Sequence, residues 1–351
     1  MDKIASRDKA HYVDPVKAES FSPTPPVPKN MLFDLTNGCN HACYFCNNPH
    51  QQRKISRMPK DLGFRIMKEA VEAGVEEIGF YNTGDPFVST DLEDFVAEAK
   101  RLGYRYIYLT TNGALATAER AKRVIDSGLD SIKFSINAGS KETYLAVHGK
   151  DDWDKVITNL KWISDYKNRA NQPLYLAISY VQTQITQNEA EDFKKKFEDF
   201  VDEIIVFDCH DQVGQMSATE QMLAANHLPI RAERFGGTCS SPFERVHLTS
   251  EGYLTLCCVE YENYAAVENL AEMSFIDAWN SPRFQAVRRK HIEGNLKGTI
   301  CDGCWFGNKG DFEPINPELA SKADFKQTIK NQAALAAERL RQYRNLDENQ
   351  S

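Results

Sequence analysis

Strand and helix patterns alternate along the chain from Met31 onward, and this alternation restricts the possible fold more than any other feature. Apolar runs predict six strands, near residues 31–36, 76–81, 105–111, 131–137, 174–181 and 203–208. Amphipathic stretches predict the intervening helices, near residues 60–73, 91–102, 117–127, 153–169 and 188–200. Six β/α repeats predict an α/β fold with a parallel sheet, because right-handed crossovers place the helices on one face.

Three cysteines, Cys39, Cys43 and Cys46, lie within eight residues just after the first predicted strand. Three thiolates at this spacing can bind one corner of an iron–sulfur cube and leave its fourth iron without a protein ligand. Structural zinc usually has four ligands, and His41 would join only if the loop folded unusually. A disulfide needs an oxidising compartment, for which nothing else in the sequence argues. The favoured interpretation is therefore an iron–sulfur cluster.

The composition is that of an ordinary globular protein, with 42% hydrophobic and 26% charged residues in a chain of 351. No apolar run approaches the ~20 residues of a membrane span, and the start of the chain is no secretory signal. We therefore expect a cytoplasmic protein without a membrane partner. The net charge of −8 argues against a nucleic-acid partner, which usually requires a basic face.

The segment Cys39-Asn40-His41-Ala42-Cys43-Tyr44-Phe45-Cys46 resembles the signature of the radical S-adenosylmethionine (SAM) superfamily, in which an aromatic residue, here Phe45, precedes the last cysteine. The resemblance implies a partial (β/α)6 barrel with a 4Fe–4S cluster whose open iron chelates SAM. It also implies that SAM is cleaved to a 5′-deoxyadenosyl radical that removes a substrate hydrogen. The implied electron donor is a reductase, a flavodoxin or a ferredoxin.

Polar residues follow the predicted strands, at the end of the sheet where such folds concentrate their chemistry. Thr83-Gly84-Asp85-Pro86 resembles the family's Gly-Gly-Glu-Pro motif, which holds the SAM amino group. Asp85 is one methylene shorter than the usual Glu, so its contact with SAM is either direct or through water. The resemblance also implies that three further residues face the SAM ribose and carboxylate, namely Asn112, Ser135 and Asn137. As plain structure, Asn112-Gly113 is also a good tight turn.

The cysteines that follow resemble the start of the SPASM domain, an auxiliary-cluster module often fused to radical SAM barrels. No cysteine follows Cys304, so the match is to the shortened version, often called the twitch domain. The resemblance implies an auxiliary 4Fe–4S cluster held by Cys239, Cys257, Cys301 and Cys304. A four-cysteine zinc ribbon is the rival interpretation. A β-hairpin over residues 245–256 and a helix near 274–291 would form this domain.

These features predict five segments along the chain. Residues 1–29 form an extended lead-in, 30–210 the barrel, 211–238 a connector, 239–312 the auxiliary domain, and 313–351 a helical tail. The tail is expected to dock on its own barrel, with partner binding as the alternative.

Two cysteines, Cys209 and Cys258, remain without a cluster. Cys209 follows the sixth predicted strand, where a thiol could donate hydrogen to a substrate radical, as in radical SAM epimerases; Cys258 is the alternative donor. Free cysteine also serves as a small apolar filler. His210 could act as a base or bind substrate.

A sugar, aminosugar or nucleotide sugar, oxidised or epimerised, is the favoured substrate. Relatives with one auxiliary cluster include enzymes of aminocyclitols and sugars, and residues 135–144 and 148–150 resemble a subgroup associated with surface polysaccharides. Peptide maturation is the alternative, less favoured because such enzymes often carry a complete SPASM domain and a leader-recognition domain. A non-catalytic iron–sulfur electron carrier is the third hypothesis. Such a carrier would not need polar residues at the strand ends, so their presence argues against it.

Overall fold

A computed structural model of the chain describes residues 21–209, 212, 216, 239–306 and 312–348. Within them, nine strands form one sheet: β1 (Asn30–Phe33), β2 (Glu77–Phe80), β3 (Tyr106–Thr111), β4 (Ser131–Ser135), β5 (Tyr175–Gln182), β6 (Glu203–Asp208), β7 (Val246–Leu248), β8 (Tyr253–Thr255) and β9 (Ala266–Asn269). Their order across the sheet is β6-β5-β4-β3-β2-β1-β7-β8-β9.

Strands β1 to β6 are all parallel and lie side by side in chain order. This confirms the predicted α/β fold, and each predicted strand appears within a few residues of its expected place. The sheet does not close, since β6 forms one edge and β9 the other.

The described helices comprise α1 (Lys60–Glu72), α2 (Leu92–Leu102), α3 (Ala118–Asp126), α4 (Lys141–His148), α5 (Trp153–Arg169), α6 (Ala190–Phe197), α7 (Ser241–Glu244), α8 (Phe275–Trp279), α9 (Pro282–Ile292), α10 (Ile300–Phe306) and α11 (Phe325–Glu348). The prediction missed α4. It also joined α8 and α9, which are separate because the Ser281 hydroxyl accepts the Phe284 N–H and Pro282 begins a new helix.

Alternate residues of each strand face opposite sides of the sheet. Met31 and Phe33 of β1 pack into the large core beneath the helices. Leu32, between them, points to the opposite side and packs with Tyr106 and Tyr108 of β3. We call this second side the inner face.

The C-terminal part continues the sheet of the barrel. Strand β7 pairs in parallel with β1, and β8 pairs antiparallel with β7, which is the predicted hairpin. Helix α11 packs against α4 and so docks on its own barrel. No helix among the described residues has the length and apolar character needed to cross a membrane.

Candidate functional site

The three-cysteine loop is held by backbone hydrogen bonds to the end of α4. Ala42 N–H donates to the His148 carbonyl oxygen at 3.1 Å, and Tyr44 N–H donates to that of Val147 at 3.0 Å. The Tyr44 ring between the cysteines is fully buried. Gln332 of α11 donates to the Tyr44 carbonyl oxygen at 3.1 Å. The loop is therefore fixed by a helix on each side.

The thiols of Cys39, Cys43 and Cys46 lie close enough to affect one another. Burial raises the pKa of each thiol, and for Cys39 the value reaches about 12. Repulsion between the thiolates raises the pKa values of Cys39 and Cys43 further. Three half-buried thiolates in one place need a cation to compensate their charge. This donor set therefore fits the iron–sulfur cluster that the sequence predicts.

A histidine pair supports the middle cysteine. His148 Nδ1 lies 3.3 Å from both Cys43 Sγ and His41 Nδ1, and His148 Nε2 lies 2.6 Å from the Ile136 carbonyl oxygen. The ligand atoms of His41, Cys43 and His148 lie within 4.8 Å of one another, a group of three among the described residues. His41 Nε2 also contacts Asp152, so the pair links the loop to the start of α5.

Gly84 lies directly against the backbone that leads into the cysteine loop. A Cβ atom at this position would stand 2.0 Å from the Thr36 carbonyl oxygen and 2.6 Å from that of Gly38. The Asn48 amide donates to the carbonyl oxygens of Asn37 and Thr83, at 2.8 and 2.7 Å. The glycine of the predicted SAM motif thus lets the loop approach the end of β2.

The Asp85 carboxylate is turned toward the neighbouring strand end. It accepts hydrogen bonds from the Thr111 hydroxyl at 2.9 Å, from Asn112 N–H at 2.8 Å and from Phe87 N–H at 3.0 Å. Burial raises the pKa of Asp85, while these hydrogen bonds lower it. The observed role of Asp85 is therefore to fix the turn that carries Asn112.

Of the three other predicted SAM contacts, only Asn112 touches the cysteine loop. Its amide donates to Asn40 Oδ1 at 2.9 Å and lies 3.7 Å from Cys39 Sγ. Asn137 has a left-handed φ of 53° and accepts Val181 N–H at 2.9 Å, so it is engaged with β5. Ser135 lies on the inner face, 3.2 Å from the Ser179 hydroxyl. The half-buried Phe45 ring packs edge-on against Tyr44.

A second thiol group lies in the C-terminal part. Burial raises the pKa values of Cys239, Cys257 and Cys301, and neighbouring thiolates, including that of Cys304, raise them further. Cys257, Cys301 and Cys304 pack against the same core. These four thiols fit a second cluster by the same charge argument.

The two remaining cysteines lie in different surroundings. Cys258 packs on the inner face against Leu32, Tyr106 and Tyr108, and its thiolate also raises the pKa of Cys239 and Cys257. Cys209 is buried in an apolar cluster beneath α11 with Tyr44, Ile185, Ala336 and others. His210 lies outside the described residues.

The inner face near Cys258 is aromatic and carries a buried cation. Lys133 Nζ lies 5.9 Å from the centre of the Tyr81 ring and 5.2 Å from that of Phe207. Tyr81 packs against Tyr108 at a centroid distance of 5.9 Å. Hydroxyl groups, a cation and ring faces therefore line the side of the sheet that the helices do not cover.

Arg53, which the sequence analysis did not single out, joins the two parts of the chain. Its guanidinium donates to Thr83 Oγ1 at 2.6 Å, to Asn263 Oδ1 at 2.5 Å and to Glu251 at 3.2 Å. Tyr261 was also missed, although its hydroxyl lies 3.4 Å from Cys46 Sγ. Neither residue belongs to a recognisable spacing pattern. The one sequence signal for Tyr261 is that it lies close to Cys258 in the chain.

Comparison with known families identifies two domains in the chain. Residues 33–197 match the radical SAM superfamily, and residues 239–305 match the iron–sulfur cluster-binding domain SPASM. The chain therefore carries a radical SAM domain followed by a SPASM domain. Domains of these two kinds bind 4Fe–4S clusters and SAM, which confirms the predicted cofactors.

Curated relatives cover only part of this radical SAM protein. A probable GTP 3′,8-cyclase of Metallosphaera sedula is 32% identical over 184 residues, which are 52% of this chain and 54% of that relative. The chain thus spans about half the length of this relative.

Solved structures share the fold of this radical SAM protein at low sequence identity. A structure of anSMEcpe with bound AdoMet and a Kp18Cys peptide has a TM-score of 0.56 and 16% identity, covering 91% of this chain and 99% of that one. BtrN in complex with AdoMet and 2-DOIA has a TM-score of 0.50 and 16% identity, covering 78% and 90%. These likenesses confirm an open parallel barrel followed by a small C-terminal domain.

Proposed function

We propose that this radical SAM enzyme oxidises or epimerises a sugar, aminosugar or nucleotide sugar bound on the inner face of its sheet. Cys39, Cys43 and Cys46 would hold the SAM-binding 4Fe–4S cluster. The auxiliary cluster would be held by Cys239, Cys257, Cys301 and Cys304. When bound, the first cluster supplies the electron that cleaves SAM to methionine and a 5′-deoxyadenosyl radical. A reductase, flavodoxin or ferredoxin would provide that electron.

The residues around SAM would bind it or hold the binding residues in place. Gly84 keeps the loop of the three cysteines against the end of β2, and Asp85 fixes the Asn112 turn beside Cys39. We therefore assign Asn112 to SAM binding and Asp85 to the positioning of Asn112. Ser135 faces the same side of the sheet, whereas the Asn137 amide oxygen is engaged with β5. Phe45 would shield the cluster from water.

The observation that carries the substrate proposal is the placement of Cys258 among Tyr106 and Tyr108 on the inner face. Tyrosine hydroxyls both donate and accept hydrogen bonds, as the many hydroxyls of a sugar require. The Tyr108 hydroxyl is already paired with Asn30 of β1, at 2.9 and 2.7 Å, so Tyr108 would contribute its ring face. The buried Lys133 could compensate an anionic group of a nucleotide sugar. Cys209 is buried in an apolar cluster with Tyr44 of the cysteine loop, so we assign it to packing.

The two outcomes for the substrate differ in what happens after hydrogen abstraction. In epimerisation the Cys258 S–H bond breaks and its hydrogen joins the substrate carbon, after which one electron and one proton restore the thiol. In dehydrogenation the substrate radical would instead lose one proton to a base and one electron to the auxiliary 4Fe–4S cluster. Only the first route transfers a solvent-exchangeable hydrogen to carbon.

The test is 5′-deoxyadenosine formation by anaerobically reconstituted, reduced enzyme, with Cys43→Ala as the cluster-free control. Separate reactions contain sugars and aminosugars, nucleotide sugars, GTP or a peptide extract of the source cell. We expect stimulation by one of the sugar arms. Stimulation by peptides alone would contradict the carbohydrate proposal and leave the cluster chemistry standing.

A matched cysteine pair then separates the two routes in heavy water. If the enzyme is an epimerase, wild type and Cys209→Ala incorporate one deuterium into the product, and Cys258→Ala does not. If it is a dehydrogenase, none of the three incorporates deuterium and product is still formed. Loss of deuterium only in Cys209→Ala would reverse our assignment of the two thiols.

A purine nucleotide is the second candidate substrate. It is favoured by the 32% identity to a probable GTP 3′,8-cyclase over 184 residues of the chain. The ring faces of the inner face would stack on a purine as readily as on a sugar. The GTP arm of the assay distinguishes the two.

A further inference from the structure

We infer that Tyr261 sets the redox potential of the SAM-binding cluster through a hydrogen bond to its ligand Cys46, and thereby connects this cluster to the auxiliary-cluster loop. The inference rests on the proposed assignment of Cys46 and Cys257 as cluster ligands. In this role Tyr261 is a positioning residue that acts through Cys46.

The contact between Tyr261 and Cys46 is direct and partly buried. The hydroxyl oxygen lies 3.4 Å from Cys46 Sγ, and the tyrosine residue is 4% exposed. A thiolate bound to iron can only accept a hydrogen bond, so the phenol must be the donor. Asn48 N–H donates to the same sulfur, also at 3.4 Å. Cys46 thus receives a hydrogen bond from its own loop and one from the C-terminal part, and the Gln212 side chain also hydrogen-bonds to it.

The segment that carries Tyr261 begins at the auxiliary thiols. Tyr261 follows Cys257 by four residues and Cys258 by three. Between them, the buried Glu260 carboxylate accepts Glu262 N–H at 2.6 Å and Ala265 N–H at 3.1 Å, which fixes the turn. A change at the auxiliary cluster can therefore reach Cys46 through this short, fixed piece of backbone.

The opposite side of the segment is tied to the cysteine loop as well. The Glu262 carboxylate accepts Gln52 N–H at 2.6 Å and Arg53 N–H at 3.0 Å, just beyond the three cysteines. Because the backbone on both sides of Tyr261 is held and the residue is 4% exposed, the phenol stays directed at Cys46.

A hydrogen bond to a cluster sulfur stabilises the more negatively charged, reduced state more than the oxidised state, and so raises the potential. Tyr261→Phe keeps the ring and removes only the donor. At a fixed solution potential, we expect the ratio of reduced to oxidised SAM cluster to fall about threefold to tenfold. A tenfold change corresponds to about 59 mV for a one-electron couple.

The matched control is Tyr264→Phe, which makes the same change three residues later. Tyr264 packs on Phe325, and the charges that raise its pKa are those of Glu260 and Glu262, not of a thiol. The measurement is a redox titration followed by EPR, in which the SAM cluster is the signal that added SAM alters. In heavy water, ENDOR should show in wild type and Tyr264→Phe an exchangeable deuteron coupling that is missing in Tyr261→Phe, whereas the coupling of the Asn48 amide deuteron should remain in all three.

Iron content and the SAM-altered signal are measured before the titration. If wild type lacks that signal, the proposed cluster assignment fails. If the signal is present and Tyr261→Phe leaves both the potential and the deuteron coupling unchanged, the cluster assignment stands and the inference about Tyr261 is wrong.

Discussion

At the residue scale, Gly84 shows how little space surrounds the cysteine loop. A methyl group there meets main-chain carbonyl oxygens, which cannot rotate away as a side chain would. The glycine is therefore required by close approach, since its φ is not in the left-handed region that also favours glycine.

Gly84→Ala is expected to destabilise the fold by more than about 3 kcal/mol, because overpacking against rigid backbone exceeds the usual cost. Urea unfolding and the iron content after reconstitution measure the effect. Gly294→Ala is the control, since Gly294 has a φ of 69° and no neighbour within 4 Å. That variant should lose only about 1 kcal/mol. Equal losses in both variants would exclude a steric role for Gly84.

The buried Asp34 gives the fold a pH dependence. Burial raises its pKa from 3.8 to about 7, against the opposing effects of Arg53 and of the Thr83 hydrogen bond; Glu251 raises it further. Because the folded state holds this proton more tightly than the unfolded state, the stabilisation is complete below pH 3.8 and is lost as the pH rises through about 7.

Wild type should therefore lose stability between about pH 4 and about pH 7, and Asp34→Asn should lose less over the same range. The midpoint of urea unfolding at several pH values tests this. Burial also raises the pKa of Glu260 to about 7, so part of the slope should remain in the variant. Asp61→Asn, an exposed substitution in α1, should keep the full slope of wild type. An identical slope in Asp34→Asn would contradict the prediction.

At the element scale, the cysteine loop depends on the stability of helix α4, to which it is hydrogen-bonded. The Ser140 hydroxyl accepts Thr143 N–H at 3.2 Å in a capping box, and the last carbonyl groups of the helix hold Ala42 and Tyr44. Ser140→Ala should cost about 1 kcal/mol and speed hydrogen exchange at the Ala42 and Tyr44 amides about fivefold.

Ser274→Ala provides the comparison, since Ser274 caps α8 in the same way through Asp277 N–H. It should cost a similar amount and leave exchange in the cysteine loop unchanged. If both variants affect the loop equally, α4 has no special role in holding it.

Local patterns were sufficient for the strands β1 to β6 and for the long helices, because each has its own apolar periodicity. Helix α4 was missed because its eight residues are too short for a clear period, although Ser140 and Gly149 mark its two ends. The different surroundings of Cys209 and Cys258 could not be predicted from local patterns. Helix α11 covers Cys209, whereas β1 and β3 lie beside Cys258. The contacts of Tyr261 and Arg53 also join residues about 200 positions apart, which no local pattern reports.

At the scale of the whole molecule, Arg53 holds the barrel and the C-terminal part together by a buried charge network. Asp34, Thr83, Glu251 and Asn263 all lie within reach of its guanidinium. Arg53→Met should destabilise the protein by about 3–5 kcal/mol, because it leaves buried acceptors without their cation. Urea unfolding followed by fluorescence gives the loss.

Arg101→Met is the matched surface substitution. Arg101 is 67% exposed at its side chain and pairs with Glu98 within α2, so its loss should cost no more than about 1 kcal/mol. A small effect in both variants would show that the network contributes little to joining the two parts.

Because β1 lies between β2 and β7, its pairing cannot be completed until late in the synthesis of the chain. The partners of Met31, Leu32 and Phe33 in β7 are Val246, His247 and Leu248, which the ribosome adds roughly 200 residues later. Until then one edge of β1 stays unpaired, and Tyr261 has not yet been made. A nascent chain therefore carries the three cysteines beside an incomplete sheet, and a cluster inserted at that stage would lack the Tyr261 hydrogen bond. Metal loading should follow release from the ribosome, once the last strands have closed over the first.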